Sequence, residues 1–245
     1  MEYFNNLRLI TVLMDMKAIV ISLGGSLLFK EGKFDREHAA GLAKVFMEIA
    51  AKGQKLAIIT GGGMRAREYA NAARKKYGSE FFADREAIKA TRENAMEMIK
   101  LIGKASYGKA MMAFDDIDAA FKTHNIALGG GMLEGLTTDA VSVLFAEKLG
   151  ARCVVNLGDT DGIYTADPKK DRNAKRLEIM THGELVDLAV KNDSRRAGTH
   201  FVFDLVAAKL AARSNIELRF VNGKDLISLK GAISGNHFDG TRVRD

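Results

Sequence analysis

Ala18-Ile19-Val20-Ile21-Ser22-Leu23-Gly24-Gly25 is a nearly continuous apolar run that stops on paired glycines. Its apolar side chains do not alternate with polar ones, so the run predicts a strand covered on both faces, as in a parallel sheet. From Asp35 to Lys52 the apolar set Ala39, Leu42, Ala43, Phe46, Ile49 and Ala50 recurs every three and four residues, which is one face of a helix. Leu56-Ala57-Ile58-Ile59 is the next buried strand, ending at Gly61-Gly62-Gly63, and Arg65–Tyr77 reads as helix. The pattern continues with a helix over Asp84–Ile102, a strand at Lys109–Ala113, a helix at Asp116–Thr123, a strand at Ile126–Leu128, a helix at Thr138–Leu149 and a strand at Arg152–Leu157. Strand and helix in strict alternation predict an α/β fold, with a mainly parallel sheet and helices on both faces.

After Leu157 the texture changes. Asp159–Arg176 is polar and turn-rich and reads as a hairpin or lid-like excursion. Helices at His182–Lys191 and Asp204–Ser214, a strand at Glu217–Val221 and a final β-like pair complete the chain. No linker divides it, so residues 17–245 are expected to form one domain. Residues 1–16 read as an N-terminal extension without the basic start or small-residue cleavage site of a signal peptide.

Composition narrows the function classes. The 245 residues are 47% hydrophobic and 28% charged, as in an ordinary globular protein. The net charge of +6 suits a phosphorylated ligand, but the basic residues are scattered and aromatics are only 7%, which argues against nucleic acid. No stretch approaches the ~20 apolar residues of a membrane helix, so no membrane partner is expected. A single cysteine, Cys153, is compatible with a cytoplasmic setting.

Three glycine clusters end three strands: Gly24-Gly25, Gly61-Gly62-Gly63 and Gly129-Gly130-Gly131. Glycines there let the backbone approach a ligand and aim successive amides at it, and phosphate is the natural guest. One cluster alone reads as a tight turn; three at one sheet edge point to a nucleotide or other anion. Gly61–Ala66 also fits the G-x-G-x-x-A dinucleotide pattern, but it follows the second strand rather than the first, which makes that match weak. Arg67, four residues past Gly63, can reach back over phosphates, whereas Arg65 reads as a solvated helix charge. Asp84 alone reads as a helix N-cap, and Thr137-Thr138-Asp139 as a capping sequence.

The ordered set is Gly24-Gly25-Ser26, Gly61–Arg67, Thr91-Arg92-x-Asn94-Ala95, Thr137-Thr138-Asp139-Ala140, Asp161–Pro168, Ala197-Gly198-Thr199 and Asp204-Leu205-x-Ala207-Ala208-Lys209. It resembles the amino-acid-kinase family over residues 17–243, and within that family the archaeal UMP-kinase branch. The resemblance implies a three-layer αβα sandwich, transfer of the ATP γ-phosphoryl to UMP, magnesium carried by the phosphates and a homohexamer. It implies an acceptor side over residues 17–150 and an ATP side over 151–245.

By position, it also implies ATP contacts at Gly25, Ser26, Gly63, Arg67, Gly158, Asp159, Tyr164 and Asp167. UMP contacts fall at Gly62, Asp84, Met132, Leu133, Glu134, Gly135, Leu136, Thr137 and Thr138. Asp204 takes the place of an aspartate that organises the reaction centre, and no protein-held metal is expected. The chain departs from the pattern at Ser22, where most of the family has lysine, at Gly158-Asp159-Thr160, and at the third loop with its Glu134. Lys209 is the expected replacement cation, catalytic together with Asp204 and Arg67. A kinase of the same fold with another small acceptor, or a nucleotide-binding protein without turnover, remains open.

Overall fold

A computed structural model describes residues 18–166, 168, 171–192 and 203–245. Strands β1 (Ala18–Leu23), β4 (Lys55–Thr60), β5 (Ile126–Gly129), β6 (Cys153–Gly158), β9 (Ile179–Met180), β10 (Glu217–Asn222) and β11 (Gly240–Val243) form one sheet in the order β5-β4-β1-β6-β10-β11-β9. Neighbours are parallel except β10 and β11, which run antiparallel. Two short hairpins stand outside it: β2 (Phe29–Lys30) with β3 (Lys33–Phe34), and β7 (Ile163–Tyr164) with β8 (Arg176–Leu177).

The apolar run of β1 explains its central place. Val20 joins the core on one face of the sheet, while Ile21 and Leu23 join the core on the other. The first face is covered by α5 (Thr138–Leu149), α6 (His182–Asn192) and α7 (Leu205–Arg213). The second is covered by α1 (Arg36–Ala50), α3 (Glu80–Ile102) and α8 (Leu226–Ser234). Helices α2 (Gly63–Tyr77) and α4 (Asp116–Thr123) complete the layers. The result is the three-layer αβα arrangement.

The structure corrects the sequence at several elements. Lys109–Ala113 is not a strand: only Met111 bridges to Gly129, with its N–H donating to Leu128 O. The final "β-like pair" is instead α8 followed by β11; Asp225 caps α8, accepting from Ile227 and Ser228 N–H. Helix α3 starts at Glu80, so Asp84 lies inside it and is no N-cap. Met1–Lys17 and the Ala197-Gly198-Thr199 stretch lie outside the described residues.

Candidate active site

The three glycine loops meet at the carboxyl edge of β1, β4 and β5. Gly24 N–H donates to Leu157 O at 2.8 Å, and Gly61 N–H donates to Leu23 O at 2.7 Å, so the first loop is held on both sides. Contact between the first two loops is backbone on backbone. A Cβ on Gly25 would lie 2.2 Å from Gly63 N, and Gly63 itself has φ +59°, a conformation that favours glycine. Gly63 also opens α2, whose first-turn amides are unpaired within the helix and suit an anion.

A cavity of about 320 Å³ opens beside the second and third loops, lined by Gly62, Asp84, Thr91, Gly131, Leu136, Thr137, Thr138, Asp139 and Asp204 among others. The expected acceptor residues Gly62, Asp84, Leu136, Thr137 and Thr138 are thereby brought together. Asp84 accepts from Gly135 N–H at 2.9 Å, tying the third loop to α3. Thr137 caps α5 by accepting from Ala140 N–H. Met132, Leu133 and Glu134 lie on the same loop but do not line the cavity, and Leu133 is exposed. The negative Glu134 is answered by Arg92, whose Nε donates to Gly131 O at 3.1 Å. Burial lowers the Arg92 pKa, and the charge of Glu134 opposes that shift.

Asp204 caps α7, accepting from Ala207 N–H at 2.8 Å, and faces the same cavity. Asp139, which the sequence presents only as part of a capping motif, has a further part. Its Oδ1 accepts from Ser22 Oγ at 2.7 Å and from Asn156 Nδ2 at 2.8 Å, so it joins the ends of β1 and β6 beneath the cleft. The signal lay in Ser22, a polar residue inside an apolar strand, which needs a partner when buried.

Arg65 is not the solvated charge the sequence suggested. It is half-buried, donates to Asn94 Oδ1 at 3.0 Å and lies over the Phe29 ring. Arg67 is the exposed one. On α7, Ala207, Ala208 and Ala211 are buried while Lys209 is exposed. At 100° per residue it stands roughly opposite the alanine stripe, because a helix turns once in 3.6 residues. The structure does not bring Lys209 together with Asp204 at the cavity.

On the other side, Gly158 ends β6 and accepts from Gly223 N–H at 2.9 Å, with Asp159 exposed beyond it. Tyr164 donates its hydroxyl to Asp161 at 2.6 Å, and Arg176 donates to the same carboxylate at 3.0 Å. Partial burial pushes the Asp161 carboxyl up, but Tyr164 and Arg176 together hold it below the usual carboxylate range. Asp167 lies outside the described residues. Among the described residues, no cluster of three or more His, Cys, Asp or Glu is placed to hold a metal ion, and no helix is long and apolar enough to cross a membrane.

Comparison with known proteins agrees with this arrangement. A sequence profile of the Amino acid kinase family matches residues 17–222. The chain is 38% identical to the uridylate kinase of Methanospirillum hungatei over 228 residues, which is 93% of this chain and 95% of that protein. It is 37% identical to the uridylate kinase of Methanocaldococcus jannaschii, over 91% of this chain and 99% of that one. The crystal structure of uridylate kinase from Archaeoglobus fulgidus superposes with a TM-score of 0.79 at 35% identity, covering 92% and 99% of the two chains.

Proposed function

The chain belongs to the amino acid kinase family, and from that premise we propose that it is a UMP kinase, transferring the γ-phosphoryl of ATP to UMP to give UDP. The observation that carries this reading is that the second and third glycine loops open on one cavity with Asp84, Leu136, Thr137 and Thr138, while the first loop packs on the second, backbone to backbone. Phosphoryl transfer asks little covalent chemistry of a protein. It needs two anionic nucleotides held in line and positive or dipolar groups aimed at the moving phosphoryl.

In this reading the amides of Gly25, Ser26 and Gly63 cradle the ATP phosphates, with Arg67 reaching over them. Gly158, Asp159, Tyr164 and Asp167 serve the adenosine side. Gly62, Asp84 and residues 132–138 serve UMP, and Asp204 organises the reaction centre. Magnesium, a hard, oxygen-seeking cation carried on the phosphates, would supply positive charge here. Asp139 and Asp204 are the carboxylates facing that space from α5 and α7. The cation would offset part of the negative charge on the γ-phosphoryl oxygens beside Arg67, since Ser22 supplies none. The protein is read as a cytoplasmic homohexamer, as the family resemblance implies.

The test is ADP release with ATP and magnesium across UMP, CMP, dUMP and isopentenyl phosphate. UMP is expected to give the highest kcat/KM. Faster turnover of another phosphate overturns the acceptor assignment, and no turnover with UMP overturns the UMP-kinase reading.

A further inference from the structure

Thr91-Arg92-x-Asn94 is not among the nucleotide contacts assigned above, although Thr91 lines the cavity, and two of its side chains tie down the loops that make those contacts. Asn94, on α3, is fully buried. Its Nδ2 donates to Gly61 O at 2.8 Å and to Gly62 O at 3.2 Å, while its Oδ1 accepts from Arg65. Nearly one turn earlier, the buried Thr91 donates its hydroxyl to Ile88 O at 2.6 Å and accepts from Gly131 N–H at 2.8 Å. The main chain of Thr91 is held in turn, its carbonyl accepting from Thr60 Oγ1 at 2.8 Å. Gly130 packs so closely that a Cβ there would lie 2.3 Å from Thr91 Oγ1. Helix α3 therefore carries the second glycine loop on one residue and the third on another.

We propose that Thr91 and Asn94 are positioning residues, Thr91 for the acceptor loop and Asn94 for the loop shared by both nucleotides. The proposal rests on the UMP-kinase reading. A glycine loop has no side chain with which to anchor itself, and its amides help a reaction only if they are aimed before the substrate arrives. A threonine hydroxyl offers one donor and can accept in return, and here both capacities are used. In a trans peptide the C=O and the following N–H point in opposite directions. With Gly62 O pinned toward α3, the Gly63 N–H faces away from α3, toward Gly25.

Thr91→Val keeps the shape and removes the acceptor for Gly131 N–H. The expected result is a KM for UMP raised about tenfold or more, the cost of roughly one lost buried hydrogen bond. The KM for ATP and kcat should stay within about threefold, and Thr91→Ser, which restores the hydroxyl, should return the UMP KM to normal. Asn94→Ala should raise the KM for both nucleotides. A Thr91→Val enzyme with a normal UMP KM, or with both KM values raised equally, overturns the proposal. Wild-type protein that fails to phosphorylate UMP in the same assay rejects the function instead. Amide exchange on the wild type provides a readout that does not need the variants to fold. Gly131 N–H should exchange as slowly as the interior amides of α3, and rapid exchange there overturns the positioning role.

Discussion

Gly25 shows how little tolerance the cleft has at the level of single atoms. A side chain there would meet Gly63 N at 2.2 Å and the Gly61 carbonyl at 2.6 Å, and all of those atoms are backbone. The loops must part to admit it. Gly25→Ala is expected to lower turnover by ~100-fold or more while the fold persists, the scale of losing aimed amides in an active site; steady-state kinetics and circular dichroism check both halves. Lys209 gives the opposite expectation. Because it stands on the exposed face of α7, away from the cavity, Lys209→Met should change kcat and KM by less than about threefold. A hundredfold loss would restore it as the cation that Ser22 lacks. Cys153 supplies a pH signature. Burial pushes its thiol up to about 11. The unfolded thiol ionises near pH 8.5 and the folded one near 11, so its contribution is complete below the first value and is lost as pH rises between the two. Native protein at pH 8 should resist a thiol reagent that labels the denatured chain at once, and Cys153→Ala should flatten the alkaline fall in stability.

At the scale of elements, β11 holds the β7–β8 hairpin through one residue. Thr241 accepts from Ile163 N–H at 2.8 Å and donates to Leu177 O, so a single hydroxyl fastens both strands of β7–β8. Thr241→Val removes both of these hydrogen bonds, at a cost of about 1–3 kcal/mol. Faster proteolysis within 159–178 and a raised KM for ATP are the expected readouts, with the KM for UMP unchanged. Elements whose burial is written in their own residues were legible in the sequence. The apolar runs of β1, β4 and β6 and the three-four spacing of α1 announced themselves. Helix α8 did not: Ile227, Ser228, Gly231 and Ile233 are indifferent helix formers, and it depends on the Asp225 cap and on packing beside β10. The site divides the same way. Glycine loops are visible as local strings, whereas the joining of Ser22 to Asp139 spans 117 residues and becomes visible only when α5 docks on β1.

For the molecule as a whole, the expected homohexamer is checked by light scattering at micromolar concentration, where a mass six times that of one chain is the anticipated outcome and a monomeric mass rejects it. The sheet order has another consequence, for how the chain is made. β1 lies between β4 and β6, and Val20 pairs with Val154, 134 residues further on. At bacterial-like elongation rates that interval is on the order of ten seconds. Throughout it, one edge of the most apolar strand waits without a partner, since β6, β10, β11 and β9 have yet to emerge from the ribosome. Open strand edges invite pairing with other chains. The strand that is synthesised first thus waits for a neighbour made 134 residues later, and slower translation across residues 60–150 should send more of the nascent chains into aggregates than the same slowing placed after residue 222.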